Sequence, residues 1–161
     1  MAPSLAGNTG EKPLTLTGRW KKDSSRSDKM DKGMDLIQLG WALRKGMVMV
    51  TALLIEDTPD HFATLVEALG FFKVREQYPW TGEMTHQKRR DMREGQTTGN
   101  VTRGKDGSAT VEISWDNPHA GSSKDTFTLS ADGQELVQTS LITIISPPDS
   151  CETKTVYKRA S

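Results

Sequence analysis

The feature that most constrains this chain is a succession of short segments in which apolar and polar residues alternate, separated by turns rich in Gly, Asp and Pro. A period of two puts every second side chain on one face, which is typical of a half-buried β-strand. Connections such as Lys105-Asp106-Gly107 and Asp132-Gly133 favour tight antiparallel turns. We predict strands over residues 14–23, 47–56, 61–68, 71–80, 83–91, 96–103, 108–115, 125–130, 135–145 and 152–159.

About ten such strands close into a barrel more readily than they stack as an open sheet. The pattern therefore predicts a mainly β chain, a ten-stranded antiparallel up-and-down β-barrel. Barrels of this kind usually enclose a small ligand. From the pattern alone, the leading functional hypothesis is a protein that encloses a small ligand.

The alternation is interrupted once, after the first strand. Apolar residues there recur at helical spacing, at Met30, Met34, Ile37 and Trp41. Ser27-Asp28 is the expected N-cap, and the helical pattern is expected to stop at Gly46. Gly33 and Gly40 weaken the helix enough to predict two short helices with a break between them.

Composition fits one ordinary globular domain. The chain has 161 residues, of which 34% are hydrophobic, and its 21 basic residues balance its 21 acidic residues. This balance gives no overall field to attract nucleic acid, so we expect no nucleic-acid partner. We expect residues 1–13, which are polar and Gly-rich, to form a flexible leader, and residues 14–161 to form a single domain. A lone cysteine, Cys151, and no long apolar run favour a cytoplasmic location.

Several motifs together resemble the intracellular fatty-acid-binding proteins of the calycin superfamily. The chain opens its pattern with Gly18-Arg19-Trp20 and closes it with Val156-Tyr157-Lys158-Arg159. Between them, the segments that match the family in order and spacing are residues 27–34, Gly40-Trp41-Ala42-Leu43-Arg44-Lys45, Phe72-Lys73-Val74-Arg75-Glu76, Trp115-Asp116 and Ala131-Asp132-Gly133. The resemblance covers roughly residues 16–159 and implies a helix-turn-helix lid over the barrel. It also implies that Trp20 packs near the last strand, with Arg159 stacked on it.

The resemblance implies a ligand anchor of two inward arginines and a tyrosine, and this chain keeps the tyrosine as Tyr157. The two arginines correspond to Thr155 and Thr128. Hydroxyls hold a carboxylate less strongly than guanidinium groups do, which favours a neutral ligand. We therefore expect a ligand site that consists of Met30, Met34, Ser114, Thr128, Thr155 and Tyr157.

A cation could instead come from the basic run that follows residue 87. Arg89, Arg90 and Arg93 are the candidate contacts for an anionic ligand. The alternative interpretation is a solvated, ion-paired outer face. Both interpretations stay open at this point.

The sequence thus predicts a non-catalytic, monomeric binding and transport protein for a small hydrophobic ligand, either a fatty acid or a neutral lipid or pigment. The lid is the part through which a transient membrane contact would be made. No catalytic motif, metal-ligand spacing or cofactor motif is present, so we expect no enzyme activity, metal or cofactor. The alternatives are a haem- or pigment-binding calycin with a chemical role, which His119 inside the barrel would favour, and a protein-interaction scaffold. The carrier hypothesis requires a cavity of drug-sized volume.

Overall fold

A computed structural model describes residues 15–68 and 72–160 of the chain, and these residues form a nearly closed antiparallel barrel. Ten strands join in the order β4-β3-β2-β1-β10-β9-β8-β7-β6-β5. Neighbouring strands are consecutive in the chain except where β10 pairs with β1. The predicted fold class is confirmed. The expected leader, residues 1–13, lies outside the described residues.

The strands have the bounds β1 Gly18–Asp23, β2 Val50–Asp57, β3 His61–Ala68, β4 Phe72–Pro79, β5 Thr85–Lys88, β6 Gln96–Arg103, β7 Ala109–Trp115, β8 Gly121–Leu129, β9 Glu135–Ile144 and β10 Asp149–Arg159. Two of them differ most from the sequence prediction. β5 ends at Lys88, so the basic run that follows it forms a turn. β8 begins four residues earlier than predicted, at Gly121, because its polar first half pairs with both β7 and β9.

The sheet has one seam, between β4 and β5, where the two strands are not joined by a backbone ladder. Side chains cross this seam instead. The side-chain amide of Gln87 donates a hydrogen bond to the carbonyl of Gln77 at 2.6 Å. Arg90, in the turn after β5, reaches Glu76 on β4. The barrel is thus closed by side-chain contacts at this one place.

Two short helices, α1 Asp31–Leu36 and α2 Trp41–Val48, form the insertion between β1 and β2. The predicted break between them is confirmed. Arg44 stabilises it by donating from Nε to the carbonyl of Leu39 at 2.7 Å. The expected end at Gly46 is wrong by two residues, since α2 continues to Val48.

The predicted N-cap at Ser27-Asp28 is also wrong. The N-cap position of α1 is Met30, which makes no side-chain capping bond. Ser27 and Asp28 pair with β10 instead: the Val156 amide donates to the Ser27 hydroxyl at 2.9 Å, and the Lys154 amide donates to the Asp28 carboxylate at 2.8 Å. Ser27 and Asp28, which could cap a helix, continue the pairing with β10 instead. This happens because β10 extends beyond the end of β1, and its backbone amides there need other acceptors.

The main core lies inside the barrel and is thickest at the end away from the lid, around Trp20. Trp20 is fully buried and donates its indole N–H to the Leu16 carbonyl at 2.9 Å. The Arg159 guanidinium lies over the indole ring, 4.3 Å from its centroid, as the resemblance predicted. The other core side chains include Leu53, Ile55, Phe62, Tyr78, Val101, Val111, Ile113, Phe127 and Leu136. None of the helices in the described part of the chain has the length and apolar character needed to cross a membrane.

Candidate functional site

The barrel interior is the candidate site, and strand register identifies the side chains that face it. Directly opposed residues of antiparallel strands share a face. Core residue Phe127 on β8 is opposite Gln138 on β9, which is in turn opposite Thr155 on β10. Leu53 on β2 is opposite Val66 on β3 in the same way. This wall of the interior therefore mixes apolar and hydroxyl or amide side chains.

Several inward-facing side chains on this wall are only half buried. They are Thr64, Val66, Ser140, Ile142 and Thr155. Side chains on the opposite wall, such as Val101, Val111 and Ile113, are almost completely buried. The interior is therefore packed unevenly, and its less densely packed side lies against β3, β9 and β10.

Three ionised side chains meet inside the barrel below the lid. Arg90 donates from Nη2 to Glu76 Oε1 at 2.8 Å and from Nη1 to Asp125 Oδ2 at 2.8 Å, and its Nε also contacts Glu76. The two carboxylates come from β4 and β8, on different walls of the barrel. We call Glu76, Arg90 and Asp125 the interior ion cluster. Arg90 links these two walls, and of the three residues it is the one that lines the cavity at the lid end.

The cluster is held by further donors. The Tyr78 hydroxyl donates to Glu76 at 2.7 Å, and the Ser140 hydroxyl donates to Asp125. Burial disfavours the charged form of Glu76, but attraction to Arg90 outweighs it and holds the pKa of this carboxyl below its usual value. Burial and the nearby Glu76 charge raise the pKa of Tyr78. Burial also disfavours the charged form of Arg90, yet the two carboxylates raise its pKa well above the usual range.

The other two arginines of the basic run, Arg89 and Arg93, also donate hydrogen bonds within the protein. Arg89 is buried and binds Asp91 through Nε and Nη2, at 3.0 and 2.8 Å. Arg93 donates to the carbonyls of Ile37 and Gln38, both at 2.9 Å, and so ties the turn after β5 to the lid. The run is ion-paired, as the second interpretation held, but it is not an outer solvated face, because Arg89 is buried and Arg90 reaches Glu76 and Asp125. Whether any of the three arginines contacts an anionic ligand stays a prediction. Each of the three guanidinium groups has a carboxylate partner.

Tyr157 and Thr155 lie on the inward face of β10, as expected. The Tyr157 hydroxyl donates to the Gln138 side chain at 3.0 Å. Burial, and secondarily the negative charge of Asp125, raises the pKa of Tyr157. The Gln138 side chain donates in turn to the Ser140 hydroxyl at 3.4 Å, and Ser140 donates to Asp125, so hydrogen bonds connect Tyr157 to the interior ion cluster. Whether Tyr157 and Thr155 contact a ligand stays a prediction.

The expectation that Thr128 and Ser114 face the cavity is wrong. Both side chains are exposed, because the inward residues of β7 and β8 are odd-numbered, as the buried Ile113, Asp125 and Phe127 show. Counting back from the turn glycine placed Thr128 one position out of phase, and a shift of one residue moves a side chain to the opposite face. Asp125 lies inside the barrel on this strand, and a carboxylate cannot anchor another carboxylate.

The lid methionines stay close to the barrel end. Met34 is buried in α1, and Met30 is half buried at its start. Gly33, beside Met34, lies close to the inward side chain Ile142 of β9. Their role as ligand contacts remains a prediction. His119 lies in the turn between β7 and β8, where its ring is 3.4 Å from the Gln38 amide, so it is not inside the barrel.

The cavity at the lid end has a volume of about 80 Å³ and is lined by Ile37, Arg89, Arg90, Asp91, Thr97, Ile113, Trp115, Ser123 and Ile142. This volume holds two or three water molecules at about 30 Å³ each. It is below the volume of roughly 300 Å³ that a drug-sized ligand needs. A larger depression, of about 640 Å³, lies outside the barrel at the turn between β8 and β9 and is lined by largely exposed residues.

Two of the three charged residues in the interior ion cluster, Glu76 and Asp125, were missed at the level of sequence. A signal for both exists. Glu76 lies between Val74 and Tyr78 at a spacing of two, and Asp125 lies between Ser123 and Phe127 in the same phase. A carboxylate in phase with apolar residues of a strand is a candidate buried acid, and a buried acid needs a partner.

Neither a protein-family model nor a curated protein sequence matches this chain. Solved structures do. A REP1-NXSQ fatty acid transporter is 15% identical with a TM-score of 0.69, over 91% of this chain and 96% of the other. Apo lipid binding protein 8 from Caenorhabditis elegans is 16% identical with a TM-score of 0.73, over 92% and 100%.

Zebrafish ileal bile acid-binding protein complexed with cholic acid is 16% identical with a TM-score of 0.61, over 89% of this chain and 98% of the other. Agreement over nearly the full length of all three proteins is agreement in architecture. The chain therefore has the fold of these proteins, and the resemblance to the fatty-acid-binding proteins is confirmed at the level of fold.

Proposed function

We propose that this chain is a non-catalytic, monomeric binding protein that takes up a small hydrophobic ligand of the lipid or pigment class inside the barrel and carries it through the cytoplasm. The observation that carries the proposal is the unevenly packed interior of a lidded barrel, where Thr64, Val66 and Thr155 face inward yet are half buried. The similar structures are titled as binding or transport proteins for fatty acids, lipids and a bile acid. Residues 14–161 would form the single binding domain.

Ligand uptake on this proposal requires movement. The 80 Å³ cavity must grow several-fold, and the parts that border it outside the strands include Ile37 at the end of α1 and the turn with Arg89, Arg90 and Asp91. The Arg90 side chain keeps 37% of its surface accessible. Burial of ligand surface would supply the affinity, at about 25 cal/mol per Å². The lid would open to admit the ligand and close over it.

A direct test is the titration of the protein with a neutral apolar dye such as Nile red, followed by fluorescence. We expect saturable binding of one equivalent with a blue shift. Thr155→Trp should fill part of the interior and weaken binding at least tenfold. Thr128→Trp is the matched control, since its side chain is on the outer face of the barrel, and it should bind like the wild type. Equal loss in both variants, or no saturable binding, would contradict the proposal.

The small cavity favours a second candidate, a protein-interaction scaffold. An interior crossed by an ion cluster and a cavity of about 80 Å³ leave little room for a ligand without rearrangement. On this alternative the lid surface would bind the partner, and Trp41 and Val48 on α2 are 72% and 70% exposed. Absence of saturable dye binding, together with unchanged thermal stability in the presence of apolar ligands, would favour it.

A further inference from the structure

The polar side chains inside the barrel form two groups, and those of the first group bind one another. The first group is the interior ion cluster with the donors around it. The same end of the barrel also holds Arg89, Asp91 and Arg93, which pair among themselves. Three arginines thus face three carboxylates, and the charges of these six residues sum to zero. Within these six, no cation lacks a carboxylate partner.

The second group lies on the less densely packed side of the interior. Its members face inward by strand register, are half buried and make no side-chain hydrogen bond to another described residue: Lys22, Thr64, Thr153 and Thr155. In the described part of the chain, every completely buried side-chain nitrogen or oxygen has a hydrogen-bond partner. The polar atoms of the second group are therefore still accessible. Polar groups inside a protein are normally hydrogen-bonded, so this group is suited to receive the polar end of a ligand.

Lys22 is the charged member of the second group, and strand register places it on the inner face. It is directly opposite Tyr157 of β10, whose side chain is buried. Directly opposed residues of antiparallel strands share a face. Its two neighbours in β1 face outward, since Lys21 is exposed and Asp23 pairs with the exposed Lys158 at 3.5 Å. Lys22 therefore projects into the barrel.

Lys22 has no carboxylate partner among the described residues. The lysines that form salt bridges there are Lys32, Lys73, Lys124 and Lys158. An ammonium group has three donors and no acceptor, and a charge inside a protein is costly unless it is paired.

The Thr155 hydroxyl lies on the same inner face as Lys22. Thr155 is two residues before Tyr157, so it is the diagonal neighbour of Lys22 across the pairing of β1 with β10. Diagonal neighbours in a sheet are within reach of long side chains. The Lys22 ammonium and the Thr155 hydroxyl can therefore donate to the same acceptor.

We infer that Lys22 binds the polar end of the ligand, that this end is an oxyanion such as a carboxylate, and that the Thr155 hydroxyl donates to the same oxyanion. This inference rests on the proposed ligand-binding function and specifies the ligand class. Thr128 and Thr155, at the positions of the expected arginines, favoured a neutral ligand, but Lys22 supplies a cation from another position, on β1. Arg90 is the poorer anchor, because its guanidinium already binds two carboxylates.

Two probes with the same alkyl chain test the inference: dodecanoate and dodecanol, each below its aggregation concentration at pH 7. Displacement of Nile red gives their dissociation constants. Lys22→Met removes the ammonium group from a side chain of similar length. It should weaken dodecanoate binding about tenfold or more, because a charge-assisted hydrogen bond is lost, and leave dodecanol binding nearly unchanged. Lys22→Arg keeps a cation and should keep most of the dodecanoate affinity.

Lys21→Met is the matched control. It removes the same charge from the adjacent residue of β1, whose side chain is exposed on the outer face. Both affinities should stay at the wild-type values. Circular dichroism shows whether each variant is folded, and Lys22→Gln is the second neutral variant if Lys22→Met is not.

The possible failures are distinguishable. Dodecanoate binding that survives the loss of the Lys22 charge would overturn the role of Lys22 and leave the proposed binding function intact. The same conclusion would follow if dodecanoate and dodecanol binding fell together, if Lys21→Met had the same effect, or if the wild type bound dodecanol alone. Failure of both probes, and of Nile red itself, would overturn the binding function and this inference with it.

Discussion

The Arg159 guanidinium lies over the Trp20 indole, 4.3 Å from the ring centroid, and joins the first and last strands at the end of the barrel away from the lid. The same guanidinium donates to the carbonyls of Thr17 and Gly133, at 2.9 and 2.8 Å. The Arg159 side chain thus connects β10 to the backbone at Thr17 and at Gly133, around the buried indole ring of Trp20. The space for it exists because residue 18 has no side chain.

Gly18→Ala should therefore destabilise the protein. A Cβ at residue 18 would lie 2.6 Å from Arg159 Nη1, and the φ of +153° disfavours an L side chain. We expect a loss of roughly 1–3 kcal/mol in the free energy of unfolding, measured with urea. Gly46→Ala is the paired control: nothing lies within 4 Å of its added Cβ, and it is within α2. It should stabilise by up to about 1 kcal/mol. Equal effects would contradict this account.

Thr155→Arg should raise the affinity for a long-chain carboxylate by about tenfold. The inward face of β10 would then offer the ligand a cation, and charge-assisted hydrogen bonds are roughly twice as strong as neutral ones. Thr128→Arg places the same group on the outer face of β8 and should change nothing. Isothermal titration with dodecanoate measures both. No change at residue 155 would place its side chain outside the ligand site.

Acid should destabilise the barrel through Glu76. Because the pKa of Glu76 is below its usual value in the folded state, its ionised form contributes stability that is complete above the unfolded pKa of about 4.3. That contribution is lost as the pH falls through the lower pKa of the folded state. The free energy of unfolding of the wild type should exceed that of Glu76→Gln by about 3–5 kcal/mol at pH 7.

The difference should narrow steadily in urea melts between pH 5 and pH 2. Glu112→Gln, at an exposed position on the outer face, serves as the control and should follow the wild type at every pH. A gap between wild type and Glu76→Gln that stays constant with pH would show that the side-chain shape, and not its charge, stabilises the barrel.

Arg93 should restrain the lid. It holds the carbonyls of Ile37 and Gln38, which lie at the end of α1 and in the link to α2. Arg93→Ala should speed amide hydrogen exchange across residues 31–48 about tenfold or more, since hydrogen bonds from a charged group contribute about 1.5–3 kcal/mol. Arg75→Ala, at an exposed residue of β4, should leave exchange in the lid unchanged. Equal exchange in both variants would mean that the lid is held by other contacts.

The fold was predictable because alternation and turn chemistry agree along most of the chain. β3 and β6 have the predicted bounds. The ends of the lid were less predictable, since Ser27 and Asp28 can cap a helix or complete a strand edge, and β10 decides between the two. The pairing of Ser27 and Asp28 with β10 is a tertiary contact, and the local sequence does not show it.

The site was harder to predict than the fold, because it depends on phase and on partners from distant strands. The inward position of Thr155 and Tyr157 follows from one strand alone. The outward position of Thr128 follows from the phase of β8, in which the neighbouring Phe127 faces inward, and counting back from the turn glycine missed this phase. The contact of Arg90 with Asp125 joins residues 35 positions apart, and no local pattern reports it.

The place of β10 between β1 and β9 has a consequence for synthesis on the ribosome. β1 to β4 form one meander and β5 to β9 another, and β10 is the strand that joins them through backbone hydrogen bonds. Until the ribosome has released residues up to Arg159, each meander has an unpaired edge, β1 in one and β9 in the other. The nascent chain is therefore exposed to edge-to-edge aggregation until β10 has left the ribosome, and chaperone demand should peak between the emergence of β9 and that of β10.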